Sequence, residues 1–258
     1  MRILPSAARQ TRIRERLAGN PGVSVSALAR EFSVSDMTVR RDLTALAQKA
    51  HVRRTHGGAV LTERMIFEFD YRERRETNRP AKRAIAAEAR KLVRPGDRVI
   101  LDNGTTALEL AALLGDAKRV TVVTPSLAVA SELQFAEGVE VILLGGVVRR
   151  GSPDLTGPMT EHCLELISTD WVFLGADGIG LDGSMYNSDL RLARVDRLMR
   201  RISRRCCVIA DSSKIGRTAL ARSGSLADVD CLITDASAAP EALRRFRRLG
   251  PKVVVAAP

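Results

Sequence analysis

The sequence predicts an α/β protein in two parts: a small N-terminal set of short helices ending in a hairpin, then a larger domain on a mainly parallel sheet. The first observation behind this is a change of grammar. Residues 1–60 carry apolar side chains at helical spacing, whereas from about residue 84 short β-rich runs alternate with helical patterns. The second is size and composition. A chain of 258 residues, 45% apolar and 28% charged, can bury a real core in one large or two modest domains, which argues against wholesale disorder. The third is charge. Of a formal net charge of +11, residues 1–57 hold +7, residues 58–83 hold +2 and residues 84–258 hold +2. A basic block concentrated at one end is the electrostatic footprint of phosphate-backbone binding.

Composition also excludes. No run approaches the ~18 uninterrupted apolar residues that a membrane helix needs. The opening stretch, MRILPSAARQTRIRERL, lacks the apolar core of a secretory signal. Cys163, Cys206, Cys207 and Cys231 form no Cys-x-x-Cys and meet no paired histidine spacing, so neither a disulfide scaffold nor a zinc site is expected. A reducing cytoplasm fits such cysteines, and no cofactor is expected.

The elements follow in order. Ile13 and Leu17, four apart in RQTRIRERL, give the first helix its buried stripe, and Asn20-Pro21-Gly22 ends it. Ser24 is a candidate N-cap for a second helix with Leu28, Ala29 and Phe32 inward. After the short connection Ser33-Val34, Ser35 caps a third helix that buries Val39, Leu43 and Leu46. That leaves Asp36, Met37, Thr38, Arg40, Arg41 and Thr44 outward. HVRRTHGGAVL then reads as two short strands around a basic, glycine-bearing turn. Two short helices with a tight connection, the second exposing Thr and Arg near its start, have the geometry of a helix-turn-helix whose second helix enters the major groove. Arg40 and Arg41 suit guanine or phosphate, Ser35 and Thr38 suit phosphate or base edges, and Met37 lies on the same outward face. Arg53, Arg54 and His56 would form a wing along the backbone. A generic three-helix bundle with solvated arginines is the plainer alternative. Residues 61–80 are a charged linker without a clean period, in which Phe67, Phe69 and Tyr71 alternate.

In the larger part, 81–258, the strands are Arg98–Leu101, Val120–Thr124, Val139–Leu144, Trp171–Leu174, Cys206–Ala210, Cys231–Thr234 and Lys252–Ala256. Helical patterns lie at 106–114, 127–135 and 194–202. Near-continuous apolar strands between helices imply a parallel sheet covered on both faces. In such sheets ligands bind at the carboxyl ends of the strands. Those ends carry DNGTT (102–106), Thr124-Pro125-Ser126, Gly145-Gly146, GADGIG (175–180) and DSSKIG (211–216). Gly104 allows close backbone approach, and Thr105, Thr106 and free helical amides can hold an anion. Aspartates for sugar hydroxyls, small loops for phosphate and Lys214 for charge make a phosphosugar pocket. Each motif alone is weak.

Two stretches carry a family resemblance. Residues 23–61 resemble the winged helix-turn-helix of the DeoR family of bacterial transcriptional regulators, through S-x-x-T-[VI]-R-R-D-L at Ser35–Leu43 and R-x-H-G-G-A at Arg54–Ala59. One departure is Ala50-His51, where a glycine is usual. The stretches 95–106, 141–146, 173–179 and 210–214 resemble the same family's effector domain, which is similar in fold to ribose-5-phosphate isomerase. The resemblance covers about residues 8–256. It implies a regulator, more a repressor than an activator, of sugar-metabolism genes. Its partners would be operator duplex, a phosphorylated sugar effector and further copies of itself, as a dimer or tetramer. Asp102, Gly104, Thr105, Thr106, Asp177 and Lys214 are the pocket residues it implies, with Ser126, Gly145, Gly146 and Gly178 at the neighbouring strand ends.

Departures stand beside it. Where the family commonly reads T-N-S this chain has Thr124-Pro125-Ser126. Where it commonly reads D-x-E-E-A-x-V-K the chain has DLRLARVD (189–196), with Leu192 for the second Glu and Asp196 for the Lys. These positions either rewire the pocket or repack harmlessly on a helix surface. Two other classes compete: a sugar-phosphate isomerase with an appended DNA-binding domain, and a constitutive DNA-binding protein with a decayed pocket. An isomerase needs a base beside a carbon-bound proton. Leu192 stands where the family helix has a carboxylate, which weighs against catalysis.

Overall fold

The computed structural model describes residues 4–19, 23–48, 52–55, 58–61, 71, 73–149 and 151–257, with the backbone alone for residues 7, 14, 15, 18, 19, 48, 52–55 and 58–61. The turn residues Asn20-Pro21-Gly22, the pair Ala50-His51, the wing residue His56 and the linker aromatics Phe67 and Phe69 lie outside the described residues. The chain divides into two compact units, Met1–Glu73 with Arg150–Ser152, and Arg74–Arg149 with Pro153–Pro258.

The first unit runs α1 (Ser6–Gly19), β1 (Val23–Ser24), α2 (Val25–Glu31), α3 (Asp36–Gln48), β2 (Val52–Thr55) and β3 (Gly58–Leu61). Capping sets the helix starts. Ser24 Oγ accepts the Ala27 N–H at 3.2 Å and Ser35 Oγ accepts the Thr38 N–H at 3.2 Å. Each such cap contributes about 1 kcal/mol. Between the two helices Ser33 takes φ +53°, the left-handed residue that turns the chain sharply. Ile13, Leu17, Leu28, Phe32, Val39, Leu43 and Leu46 meet in one buried cluster, as their spacing requires. Strands β1, β3 and β2 form an antiparallel sheet in that spatial order.

A polar knot lies within this core. Arg9 and Asp42, both buried, pair at 2.6 Å, and Asp42 also accepts from Ser6 Oγ and Gln10 Nε2 at 2.8 and 3.2 Å. Burial pushes the Asp42 carboxyl up, but hydrogen bonds from Arg9, Gln10 and Ser6 outweigh it and hold the group below its ordinary range.

The second unit begins with α4 (Arg79–Arg90). It continues with β4 (Arg98–Leu101), α5 (Thr105–Leu114), β5 (Val120–Thr124), α6 (Leu127–Leu133), β6 (Val139–Leu143), β7 (Val147–Val148), β8 (Leu155–Thr156) and α7 (Pro158–Glu165). Then come β9 (Trp171–Leu174), β10 (Gly178–Ile179), β11 (Ser184–Asn187), α8 (Leu190–Ile202), β12 (Cys206–Ile209), β13 (Ala221–Ser225), β14 (Cys231–Asp235), α9 (Pro240–Arg248) and β15 (Lys252–Ala256). Seven strands form one parallel sheet in the order β15-β14-β12-β9-β4-β5-β6. Successive residues of a strand point to opposite faces, and both faces are covered. Val99 and Leu101 pack with α4, α5 and α6, whereas Ile100 packs with α7, α8 and α9. Double burial is why these strands read as unbroken apolar runs.

Smaller pieces escaped the pattern reading. β10, β11 and β13 form an antiparallel side sheet, built from two- to five-residue strands rich in Gly and Ser that carry no period. Helix α8 starts four residues before the predicted 194, because Asp189 caps it by accepting the Arg191 N–H at 2.8 Å. Among the described residues no helix is long and apolar enough to cross a membrane.

Candidate functional site

In the first unit the candidate functional surface is the outer face of α3. Met37, Arg40, Arg41 and Thr44 recur at helical spacing and are exposed, opposite the buried Val39, Leu43 and Leu46. Met37 is 66% exposed, too much for a core residue. Ser35 Oγ and Thr38 Oγ1 lie 2.9 Å apart at the helix start, where Ser35 Oγ also accepts the Thr38 N–H. Among the described residues Arg40 and Arg41 form no ion pair, so their charge faces outward. Arg53 and Arg54 sit on β2, where only the backbone is described.

In the second unit the strand order points to a candidate site. From β4 the chain steps outward to β5 and β6; from β9 it steps the other way to β12, β14 and β15. The order reverses between β4 and β9, and a crevice opens at the carboxyl ends of such a pair. Asp102 follows β4 and Gly175 follows β9. They meet there: Asp102 Oδ2 accepts the Gly175 N–H at 2.8 Å and Oδ1 accepts the Asn103 N–H at 2.7 Å. A Cβ on Gly175 would sit 3.2 Å from Asp102 Oδ2, so glycine permits the approach. Asp102 is 3% exposed. Burial pushes its carboxyl up to about 6 against the two N–H donations, and the nearby Asp154 and Asp177 charges push the same way.

Around this point the predicted residues take distinct roles. Gly104 begins α5 without a side-chain cap, leaving first-turn amides free for an anion. Thr106 is buried, while Thr105 Oγ1 donates to the Arg74 carbonyl at 3.3 Å. Asp177 Oδ2 accepts from Ser188 N–H and Oγ at 2.8 and 2.7 Å, and its Oδ1 lies 3.8 Å from Arg74 Nη1. Lys214 ends the 3-10 turn Ser212–Lys214, whose cap Asp211 accepts from Asn78 Nδ2 at 3.0 Å. Behind it the buried Lys82 donates to the carbonyls of Arg74 and Thr77. Burial lowers the Lys82 pKa; Asp211 opposes this, while Lys214 and Arg74 reinforce it.

Other predicted residues are occupied by packing. Ser126 is buried and caps α6, accepting the Val129 N–H at 3.3 Å. Gly145 and Gly146 seat α7: Thr160 Oγ1 donates to the Gly145 carbonyl at 2.7 Å, and a side chain on Gly146 would collide with Thr160. A Cβ on Gly178 would stand 2.6 Å from the Arg217 carbonyl oxygen. The departures at 189–196 do not lie on a helix surface. Leu192 and Asp196 are 4% and 2% exposed, on the buried face of α8.

Sequence reasoning missed several members. Arg74 lies in a stretch charged throughout, so nothing singled it out. Buried Asp154, gripped by Arg149 at 2.7 and 3.3 Å, bridges to Ser126 from a loop without pattern. Asn187 and Ser188 end one of the short side strands.

Comparison with known proteins decides the family. The DeoR C terminal sensor domain matches residues 77–236, and the DeoR-like helix-turn-helix domain matches residues 9–65. The chain belongs to the DeoR family. This DeoR-family transcriptional regulator is 37% identical to the uncharacterized HTH-type transcriptional regulator YulB of Bacillus subtilis, over 96% of this chain and 95% of that protein. It is 32% identical to a putative aga operon transcriptional repressor of Escherichia coli O157:H7, over 98% of this chain and 95% of that one. It is 34% identical to the glycerol-3-phosphate regulon repressor of Escherichia coli K12, over 83% of this chain and 84% of that one. Among solved structures, ribose 5-phosphate isomerase A of Methanocaldococcus jannaschii is 20% identical with a TM-score of 0.41, over 54% of this chain and 55% of that one.

Proposed function

We propose that this DeoR-family protein is a repressor of sugar-metabolism genes whose hold on operator DNA is set by a phosphorylated sugar. The observation that carries the reading is the set of groups at the β4–β9 switch point. A buried carboxylate, uncapped amides of α5 and Lys214 sit on one sheet edge, suiting a molecule with hydroxyls at one end and phosphate at the other. The relatives named as repressors of the aga operon and the glycerol-3-phosphate regulon support the same direction. Ser35, Met37, Thr38, Arg40 and Arg41 of α3 meet the major groove, and Arg53, Arg54 and His56 of the wing follow the backbone. The protein works in the cytoplasm as a homo-oligomer, a dimer or tetramer, because helix-turn-helix proteins read repeated half-sites.

The sensor binds its sugar phosphate without turning it over. Asp102, the buried carboxyl at the switch point, already accepts one backbone N–H on each oxygen, and Leu192 stands where the family helix carries a carboxylate. The test selects operator sequences from random duplex DNA with the full chain, then titrates them with sugar phosphates and assays pentose and hexose phosphates for isomerisation. A ligand-dependent change in operator affinity with no turnover is expected. Turnover, or operator binding indifferent to every sugar phosphate, would overturn the reading.

A further inference from the structure

The near-neutral charge of the sensor hides a segregation. Residues 191–205 hold seven arginines against Asp196, and residues 240–252 hold four arginines and Lys252 against Glu241. The rest of residues 84–258 carries 11 cations against 19 carboxylates. The topology brings the two basic stretches to one edge. Helices α8 and α9 each run back from the carboxyl ends of the strands, to the start of β12 and of β15. Those strands flank β14, so their starts lie roughly 10 Å apart, two strand spacings. This is the amino-end edge of the sheet, opposite the strand ends that carry Asp102 and Lys214.

Much of the charge there is uncompensated. Arg201, Arg205, Arg244, Arg247, Arg248 and Lys252 are exposed and form no ion pair among the described residues, unlike their neighbours Arg200, Arg204 and Arg245. The Arg205 guanidinium lies 4.1 Å from the centre of the Trp171 ring. The carboxylates alongside are committed: Asp228 to Arg200 at 3.0 Å, Asp230 to the Cys206 N–H at 2.7 Å and Asp170 to the Arg98 N–H at 3.0 Å. Helix dipoles explain part of this, since cations favour last turns and Arg200, Arg201, Arg247 and Arg248 stand in them. Arg205 and Lys252 lie outside the helices, however, and α5 and α6 end at the same edge with no basic residue in the last turn.

The surface does not suit an apolar partner. Within 191–205 and 240–252, all of them described, no large hydrophobic residue is exposed. Protein interfaces and membrane-binding faces carry apolar anchors among their charges. Arginine forks without such anchors fit phosphate oxygens. We propose that this edge of the sensor is a second contact surface for duplex DNA, held through phosphates and blind to sequence. Once α3 holds a duplex, these cations meet phosphate at a high effective concentration. The assignment goes beyond the effector reading, and its test needs neither effector nor operator sequence.

Salt dependence counts such contacts, because each neutralised phosphate adds about 0.9 to the slope of log affinity against log salt. The full chain is titrated into a labelled duplex of mixed sequence at several salt concentrations. The variant Arg201→Gln/Arg247→Gln/Arg248→Gln/Lys252→Gln is expected to lower the slope by about two to four. The control Arg191→Gln/Arg194→Gln/Arg197→Gln/Arg222→Gln removes equal charge elsewhere on the sensor and should stay within about one of wild type. An unchanged slope in the first variant would overturn the surface, and so would equal falls in both, which net charge alone explains. Loss of binding to phosphatidylserine vesicles with an unchanged duplex slope would assign the edge to a membrane instead. Trp171, the one tryptophan of the chain, reports on the edge through Arg205. Its emission should change when duplex is added to the wild-type protein; constant emission at saturating duplex would overturn the contact even if a variant fails to fold.

Discussion

The two units handle charge in opposite ways. In the helix-turn-helix unit the cations of α3 stand in solvent, with Arg40 and Arg41 exposed and unpaired among the described residues. In the sensor the ionisable groups at the strand ends are mostly carboxyls taken out of water: Asp102, Asp154, Asp196 and Asp211 are each at most 3% exposed. Exposed cations act at a distance, are screened by salt and attract any phosphate backbone. Buried carboxyls act only through direct hydrogen bonds and so discriminate between small molecules. One surface supplies affinity for a long polyanion, the other supplies selectivity.

Substitutions can break that contrast. The largest effect is expected where the first unit departs from its own rule, at the buried Arg9–Asp42 pair. Arg9→Ala strands a buried carboxylate and should cost about 3–5 kcal/mol of stability, read from urea unfolding of the full chain. A loss below about 1 kcal/mol would mean that the knot is solvated. Next come Arg40→Ala and Arg41→Ala. Each should weaken operator binding by about 1–3 kcal/mol if it reads a base, or lower the salt slope by about one if it meets phosphate. Unchanged affinity and slope in the double variant would remove α3 from the groove.

Lys214→Ala probes the other side of the contrast. It should weaken sugar-phosphate binding by about 1.5–3 kcal/mol and leave little preference over the unphosphorylated sugar, measured by thermal shift and calorimetry. A retained preference for the phosphate would displace Lys214 from the site.

The smallest effect is a difference of sign with pH. Asp102 and Asp196 keep their protons above the ordinary carboxyl range, Asp102 up to about 6, so the folded sensor binds more protons than the unfolded chain. Sensor stability should therefore fall as pH rises from about 4 towards 6. Asp42 is held below its ordinary range, so the first unit keeps this contribution above about pH 4 and loses it as pH falls further. Hydrogen exchange resolved by region would show the two trends. Parallel trends would contradict the assigned environments.

The contrast also explains what the sequence revealed. The outward placement of Arg40 and Arg41 was legible because 3.6-residue spacing separates the outer face of a helix from its inner one. The parallel sheet was legible because double burial writes unbroken apolar runs. The strand-end positions of Asp102 and Lys214 were legible because the apolar runs mark where β4 and β12 stop. Arg74, Asn187 and the Arg149–Asp154 clasp were not, since each acquires its role from a partner distant in sequence or from a loop without periodicity. Gly145 and Gly146 looked like pocket residues, yet close packing against Thr160 accounts for them. For Asp196, the burial of that face of α8 excludes the helix-surface alternative.

The central claim, that the sensor's ligand governs the DNA-binding unit, is tested most directly by fluorescence anisotropy. A labelled operator duplex is titrated with the full chain at fixed salt, alone, with a sugar phosphate that stabilises the protein, and with the same sugar lacking phosphate. Expected is a displaced binding midpoint with the phosphorylated compound and a curve close to the ligand-free one with the parent sugar. Three superimposable curves, at a concentration where the phosphate compound demonstrably occupies the sensor, would contradict it.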